Sequence, residues 1–317
     1  MTPPSLASAA AAPQDPIARR LEDGTPVLSA AAEPRNPADP LALHRALEAV
    51  FASSGADVIA IEERLLLDAV DAAAGHRLFP IAREEAGRRY RLCPRAGFFQ
   101  IPDLWLKSHA ASAFPELPAD GHPLRPPQPR GLVYARRDPA IDMTVSFEAV
   151  AIERDLDLFH AWMNDGRVAF FWELAKPKDE LRAYLLRLQA DPHAFGLIGS
   201  FDGEQAGYFE VYWGKEDRLG AHYDAHPFDR GWHGLIGNAR FLGRARTAAW
   251  LRALTHLLFL DDVRTAKVVG EPNAAHRKLL RYADELAYRK VKEFDFPHKR
   301  AALMHCDRTA FFARVRL

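Results

Sequence analysis

Apolar residues recur at helical spacing through Leu41, Leu43, Leu47, Val50 and Phe51, a stripe that predicts an amphipathic helix. A short apolar run, Asp57-Val58-Ile59-Ala60-Ile61, reads as a strand, and residues 65–74 read as a second helix. Residues 89–102 mix aromatic and apolar positions between turns and are expected to supply further strands. Between residues 115 and 129 the pattern breaks. Six prolines flank Asp120-Gly121 there, and such a stretch continues neither a helix nor a central strand. Beyond it, strand and helix periodicities alternate. Residues 131–134 and 143–152 predict strands, a helix begins near Asp155, and another covers 178–189. Strands at 196–201 and 205–213 are joined by Asp202-Gly203, a strong hairpin dipeptide. His233-Gly234-Leu235-Ile236-Gly237 is a further short strand, followed by the loop Arg240-Phe241-Leu242-Gly243-Arg244-Ala245 and an apolar helix over 247–260. A strand over 266–272 closes on Pro272, a helix covers 274–285, and a strand over 292–296 precedes a final segment after His298.

Strands alternating with helices, with hairpins in the middle, predict an α/β fold: a mixed central sheet flanked by helices. At 317 residues the length favours two domains. The proline-rich stretch is read as the linker between them. It ends a smaller α/β accessory domain, 1–130, and the mixed sheet occupies 131–317. Residues 1–13, rich in Ala, Pro and Ser, lack the basic and apolar regions of a signal peptide and read as a disordered tail.

Hydrophobic residues make up 48% and charged residues 26% of the chain, the balance of a soluble globular protein. Lys+Arg and Asp+Glu number 42 each, so no overall positive field favours nucleic acid. No apolar run reaches the length of a membrane span. Cys93 and Cys306 lie far apart and form no metal-spacing pattern, so neither a metal nor a disulfide framework is expected. That usage fits a reducing, cytoplasmic setting.

The strand, loop and helix over 233–260 carry the most chemical content. Backbone N–H groups at a helix start form an anion site, although ordinary crossovers share the same pattern. Neither Gly-x-x-x-x-Gly-Lys-Ser/Thr nor Gly-x-Gly-x-x-Gly occurs, which leaves nucleotide hydrolysis and Rossmann-type binding without support.

Several uncommon words surround this unit in order. They include His160-Ala161-Trp162-Met163-Asn164, Gly207-Tyr208-Phe209-Glu210-Val211-Tyr212-Trp213, Glu216-Asp217-Arg218 and Asp229-Arg230-Gly231-Trp232-His233. Glu271-Pro272 and Phe294-Asp295-Phe296-Pro297-His298-Lys299-Arg300 follow. Over roughly residues 132–313 the chain resembles the siderophore-biosynthesis acyltransferases of the GNAT superfamily. The resemblance implies a GNAT-like fold and transfer of an acyl group from acyl-CoA, acetyl-CoA first, to the nitrogen of an N-hydroxylated lysine, ornithine or diamine. The product is a hydroxamate that chelates ferric iron. Succinyl-CoA or a hydroxyacyl-CoA as donor, or a non-catalytic acyl-CoA-binding pathway protein, are the alternatives. The implied partners are the two substrates and other enzymes of the pathway. A hydroxylamine nitrogen is less basic than an alkylamine, so the protein mainly aligns nitrogen and thioester, polarises the carbonyl and manages one proton. No nucleophile–base pair stands out, which favours direct transfer in a ternary complex over an acyl-enzyme.

By the same resemblance, acyl-CoA sits on the backbone of Phe241, Leu242, Gly243 and Ala245, with Arg240 and Arg244 near its phosphates. His160 is the expected group that orients the hydroxylamine or takes its proton, and Asp202 and Asp229 complete the candidate catalytic set. Asp202 reads equally as a turn residue, and Asp229 with His233, four residues on, as a relay or a loop tie. Trp162, Glu210 and His233 are the candidate substrate contacts, Glu210 as a buried carboxylate in need of a partner. The chain departs from the family's pattern at Leu242, at His276 where asparagine is usual, and at Ala283 and Ala287. The group that protonates the leaving thiolate is therefore left unassigned.

Overall fold

The computed structural model describes residues 17–28, 42–63, 79, 81–108 and 123–317. The tail at 1–13, the helix expected at 65–74 and the proline-rich residues before 123 lie outside the described residues. The chain divides into two compact units, Met1–Phe98 and Phe99–Leu317.

In the first unit, strands β1 (Ile17–Arg20), β2 (Pro26–Leu28), β3 (Val58–Glu62), β4 (Ile81–Glu85) and β5 (Arg88–Pro94) form a sheet in the order β1-β2-β3-β5-β4. Helix α1 (Ala42–Ser54) separates β2 from β3. Those two strands are parallel, so a crossover between them is a geometric necessity. The predicted stripe is the one that α1 buries, through Leu43, Leu47, Val50 and Phe51.

The division at Phe98 precedes the proline-rich segment, whose described residues, from 123 on, belong to the second unit. Arg125 stacks over Trp213 at 4.0 Å and donates to Glu216 at 2.6–2.9 Å. The Gln128 amide approaches the carbonyls of Leu188, Asp191 and Ala194 within 2.8 Å. Proline content made this stretch read as a linker. The side chains between the prolines hold residues 125–128 in place.

The second unit is built on eight strands: β6 (Leu132–Asp138), β7 (Met143–Ala149), β8 (Ala194–Phe201), β9 (Glu204–Trp213), β10 (Arg230–Ile236), β11 (Lys267–Gly270), β12 (Tyr288–Asp295) and β13 (Arg300–Asp307). Their order is β12-β13-β11-β10-β9-β8-β7-β6. Helices α2 (Ile152–Met163), α3 (Gly166–Trp172) and α4 (Lys178–Ala190) lie between β7 and β8, and α5 (Arg244–Asp261) crosses from β10 to β11. Helix α6 (Arg277–Glu285) precedes β12, and α7 (Arg308–Arg314) ends the chain.

Alternation along β9 decides what each face receives. Tyr208 joins Leu156, Phe159 and Trp162 of α2 and Leu181 and Leu185 of α4 in one buried cluster. Phe209 points the other way and packs on Trp250 of α5, which also meets Trp232. Nearly every α5 residue from Ala249 to Leu260 is buried, as expected of a helix that is apolar all round. Each such leucine contributes about 2 kcal/mol of burial.

One pairing in this sheet differs from the rest. Every neighbouring pair is antiparallel except β10 with β11. That parallel ladder holds only at Arg230↔Val268 and Gly231↔Val269, while β10 stays paired with β9 as far as Ile236. From Trp232 onward the two strands part. The fork leaves one edge of β10 without ladder partners among the described residues past Gly231, and Arg167 donates to the carbonyls of Ile236 and Gly237 at its far end.

Candidate active site

His233 lies two residues past the last β10–β11 pair, and Glu271 directly follows β11. Across the mouth of the fork, His233 Nε2 lies 2.8 Å from Glu271 Oε1. On the other side of the ring, Nδ1 lies 3.7 Å from Glu210 Oε2. Glu210 is the cross-strand partner of His233, so sheet register places this pair. Tyr208 donates to Glu210 at 2.8 Å, Tyr184 of α4 donates to the same carboxylate, and Tyr212 donates to Glu271 at 3.0 Å. The last contact depends on Gly231 opposite Tyr212. A Cβ at position 231 would sit 2.1 Å from the Tyr212 ring.

Burial alone would lower the His233 pKa, but Glu271 and Glu210 outweigh it and the group is pushed up to about 10. Burial works to raise the carboxyl pKa of Glu271 as well, yet the His233 and Lys299 charges and the Tyr212 hydroxyl hold it well below the usual range. Glu210 is likewise lowered against its burial, by His233, Tyr184 and Tyr208. Burial and the adjoining carboxylates raise all three tyrosines, which stay protonated as donors. At neutral pH the site is an imidazolium between two ionised carboxylates. With its side chain 25% exposed, His233 is open to a ligand in the fork.

The expected catalytic residues do not gather here, apart from the two candidate contacts Glu210 and His233. His160 is half-buried on α2, and among the described residues its imidazole makes no hydrogen bond, ion pair or ring contact. Trp162 is a buried residue of the α2–α4 cluster. Asp202, with φ 46, and Gly203, with φ 81, form the tip of the β8–β9 hairpin. The Asp202 carboxylate accepts from Thr144 N–H at 2.7 Å, and a strand length of roughly 25 Å separates it from Glu210. Asp202 is therefore a turn residue. Asp229 accepts from His226 N–H at 3.0 Å and meets Lys267 Nζ at 3.4 Å. Four residues of strand put it roughly 13 Å from His233, so it ties its loop and forms no relay. Glu271, Tyr184 and Tyr212 were absent from the sequence candidates. Glu271-Pro272 was visible as a word, but no local pattern announces which histidine it will meet.

The loop 240–245 joins β10 to α5. Phe241 is buried and stacks on Phe201 at 5.1 Å, which anchors the loop. Gly243, with φ 125 and ψ 159, holds a backbone conformation that is essentially reserved for glycine. It caps α5 without a side chain, so the first N–H groups of that helix remain available to an anion. Arg240 pairs with Glu204 at 2.7 Å and Arg244 with Glu285 at 2.8 Å, and both arginines are more than half exposed. Such surface pairs are worth only about 0–1 kcal/mol and yield readily to a phosphate. His276, one of the departures noted in the sequence, caps α6 by accepting from Leu279 N–H at 3.1 Å. Ala287, another, takes φ 68, a strain of about 1–2 kcal/mol that glycine would avoid. Among the described residues, no group of three or more His, Cys, Asp or Glu could hold a metal ion. No helix there is long and apolar enough to cross a membrane.

A strand, a glycine loop and a helix start within a mixed sheet are the arrangement that the resemblance to GNAT acyltransferases implied. A profile described as the acetyltransferase (GNAT) domain matches residues 151–296. The chain is 43% identical to an N(6)-hydroxylysine O-acetyltransferase from Escherichia coli over 70% of its own length and 72% of that protein's. It is 42% identical to a hydroxyornithine transacylase from Ajellomyces capsulatus over 61% of this chain, and spans 45% of that relative. A solved structure of an uncharacterized protein from Bacillus halodurans matches with a TM-score of 0.55 and 28% identity, over 58% of this chain and 94% of that one. The chain belongs to the siderophore-biosynthesis acyltransferases of the GNAT superfamily.

Proposed function

We propose that this protein acylates the hydroxylamine nitrogen of an N-hydroxylated lysine, ornithine or diamine, using acetyl-CoA, in hydroxamate siderophore biosynthesis. The observation that carries the reading is the 43% identity to the Escherichia coli hydroxylysine acetyltransferase across 72% of its length. The fork supports it with a matching chemistry. Acyl-CoA is held by the N–H groups of loop 241–245, with Arg240 and Arg244 at its phosphates.

The hydroxylamine nitrogen is unprotonated near neutral pH, so the site need not generate a nucleophile. His233, as an imidazolium, is a donor rather than a base. It serves the carbonyl oxygen as negative charge builds there. The nitrogen bonds to the carbonyl carbon, the carbon–sulfur bond breaks, and the proton shed by nitrogen passes to Glu210, the ionised carboxylate beside the ring. The reading also places the protein in the cytoplasm, next to the enzyme class that N-hydroxylates the amine. The first unit contributes none of these residues and is read as accessory.

Purified protein incubated with acetyl-CoA and N6-hydroxylysine is expected to release thiol and form a ferric-hydroxamate colour in step. Thiol release without colour would mean either an acyl group on oxygen or hydrolysis of the thioester, which the mass of the amine product separates. No turnover across hydroxylated lysine, ornithine and cadaverine with acetyl-, succinyl- and hydroxyacyl-CoA would end the reading. Tight coenzyme A binding in that case would point to a non-catalytic role.

A further inference from the structure

Two cations stand just beyond Glu271. Arg218 Nη2 lies 3.5 Å and Lys299 Nζ 3.6 Å from Glu271 Oε1, whereas a committed charge-assisted bond measures about 2.7–2.9 Å. Glu271 already has nearer donors in His233 and Tyr212, at 2.8 and 3.0 Å. Among the described residues, neither cation has a second carboxylate within ion-pair distance. Asp217, next to Arg218, turns its carboxylate to Leu219 N–H at 2.8 Å. The two cations arrive from different loops, Arg218 from between β9 and β10 and Lys299 from between β12 and β13. Both are set over one ring, Phe296, at 5.2 and 5.7 Å. Arg218 is 50% exposed and Lys299 21%.

Paired donors that converge on an aromatic floor, at the open side of a site, match the geometry of a bound carboxylate. The phosphates of coenzyme A belong elsewhere, since the donor loop follows the far end of β10. The gap between these cations and His233 is one oxygen atom wide, since all three address Glu271 Oε1, at 3.5, 3.6 and 2.8 Å. An aliphatic amino-acid side chain bridges such a gap.

We propose that Arg218 and Lys299 read the α-carboxylate of the acceptor, so that the substrate is an N-hydroxylated α-amino acid rather than a decarboxylated diamine. The proposal rests on the acyltransferase reading above and narrows its acceptor class. A carboxylate on the acyl donor, as in succinyl-CoA, has the same chemistry, and the test separates the two sources.

Turnover of N6-hydroxylysine and of N-hydroxycadaverine, which keeps the hydroxylamine and chain but lacks the carboxylate, is measured with acetyl-CoA and with succinyl-CoA. The full-length protein is compared with Arg218→Ala, Lys299→Ala and Arg218→Lys. The wild type is expected to prefer hydroxylysine in kcat/KM by about 10- to 100-fold. Each alanine variant should collapse that ratio toward one, mainly through the KM for hydroxylysine, and Arg218→Lys should retain part of it. Equal use of the two amines by the wild type would overturn the proposal, even if both variants failed to fold. So would variants that slow both amines alike, or that slow only succinyl-CoA. No turnover of either amine, nor of N5-hydroxyornithine, with acetyl-, succinyl- or hydroxyacyl-CoA would instead remove the acyltransferase reading, and the proposal with it.

Discussion

His233 owes its chemistry to what surrounds it. Two carboxylates, Glu210 on β9 and Glu271 just past β11, keep it charged, and it becomes a donor where a solvent-exposed histidine would be a base. His233→Ala is expected to lower kcat by about 10²- to 10⁴-fold while leaving coenzyme A affinity intact, as steady-state kinetics and calorimetry will show. The same raised pKa bears on stability. An unfolded histidine titrates near 6.5, so the stabilising interaction is present in full below about pH 6.5, declines above it, and is gone once the pH passes about 10. Thermal unfolding followed from neutral to alkaline pH should show a steeper loss in the wild type than in His233→Gln. Asp202→Ala tests the opposite assignment. It should cost about 1 kcal/mol of stability through the lost Thr144 bond and leave kcat unchanged. At this scale the sequence named Glu210 and His233 as substrate contacts, and favoured His160 over both for the chemistry. A histidine's identity is local, but its protonation is set by neighbours 23 and 38 positions away in the chain.

At the scale of elements, the strand, loop and helix over 230–261 were legible because each follows from short-range pattern: an apolar strand, a glycine with its left-handed backbone, an apolar helix. Gly243→Ala is expected to strain that loop by about 1–3 kcal/mol and to weaken coenzyme A binding at least tenfold by calorimetric titration, with the protein still folded. Other elements escaped the pattern. Helix α3 has seven residues, too short for a helical period to register, and forms between the Asp165 cap and a left-handed Glu173. Strand β13 was expected only as an unclassified final segment. It pairs β12 to β11 as an almost wholly buried strand, so it lacks the alternation that marks a half-exposed one.

For the whole molecule, the proline-rich stretch carries the lesson. Composition marks residues 115–129 as a break in regular structure, and near Arg125 the structure agrees that neither helix nor strand forms. Whether such a segment swings free or straps down depends on partners. Arg125 finds Glu216, 91 positions on, beside Trp213. Arg125→Ala should destabilise the protein by about 3–5 kcal/mol, read from the denaturant midpoint, although Arg125 touches no proposed substrate. The sequence alone determined the α/β class, the glycine loop ahead of α5 and the family, since periodicity, turn chemistry and distinctive words are properties of neighbouring residues. Only the tertiary structure decided where the proposed chemistry sits. The register of β9 on β10 and the early parting of β11 bring Glu210, His233 and Glu271 together, and strand pairing is long-range, so no local window contains it.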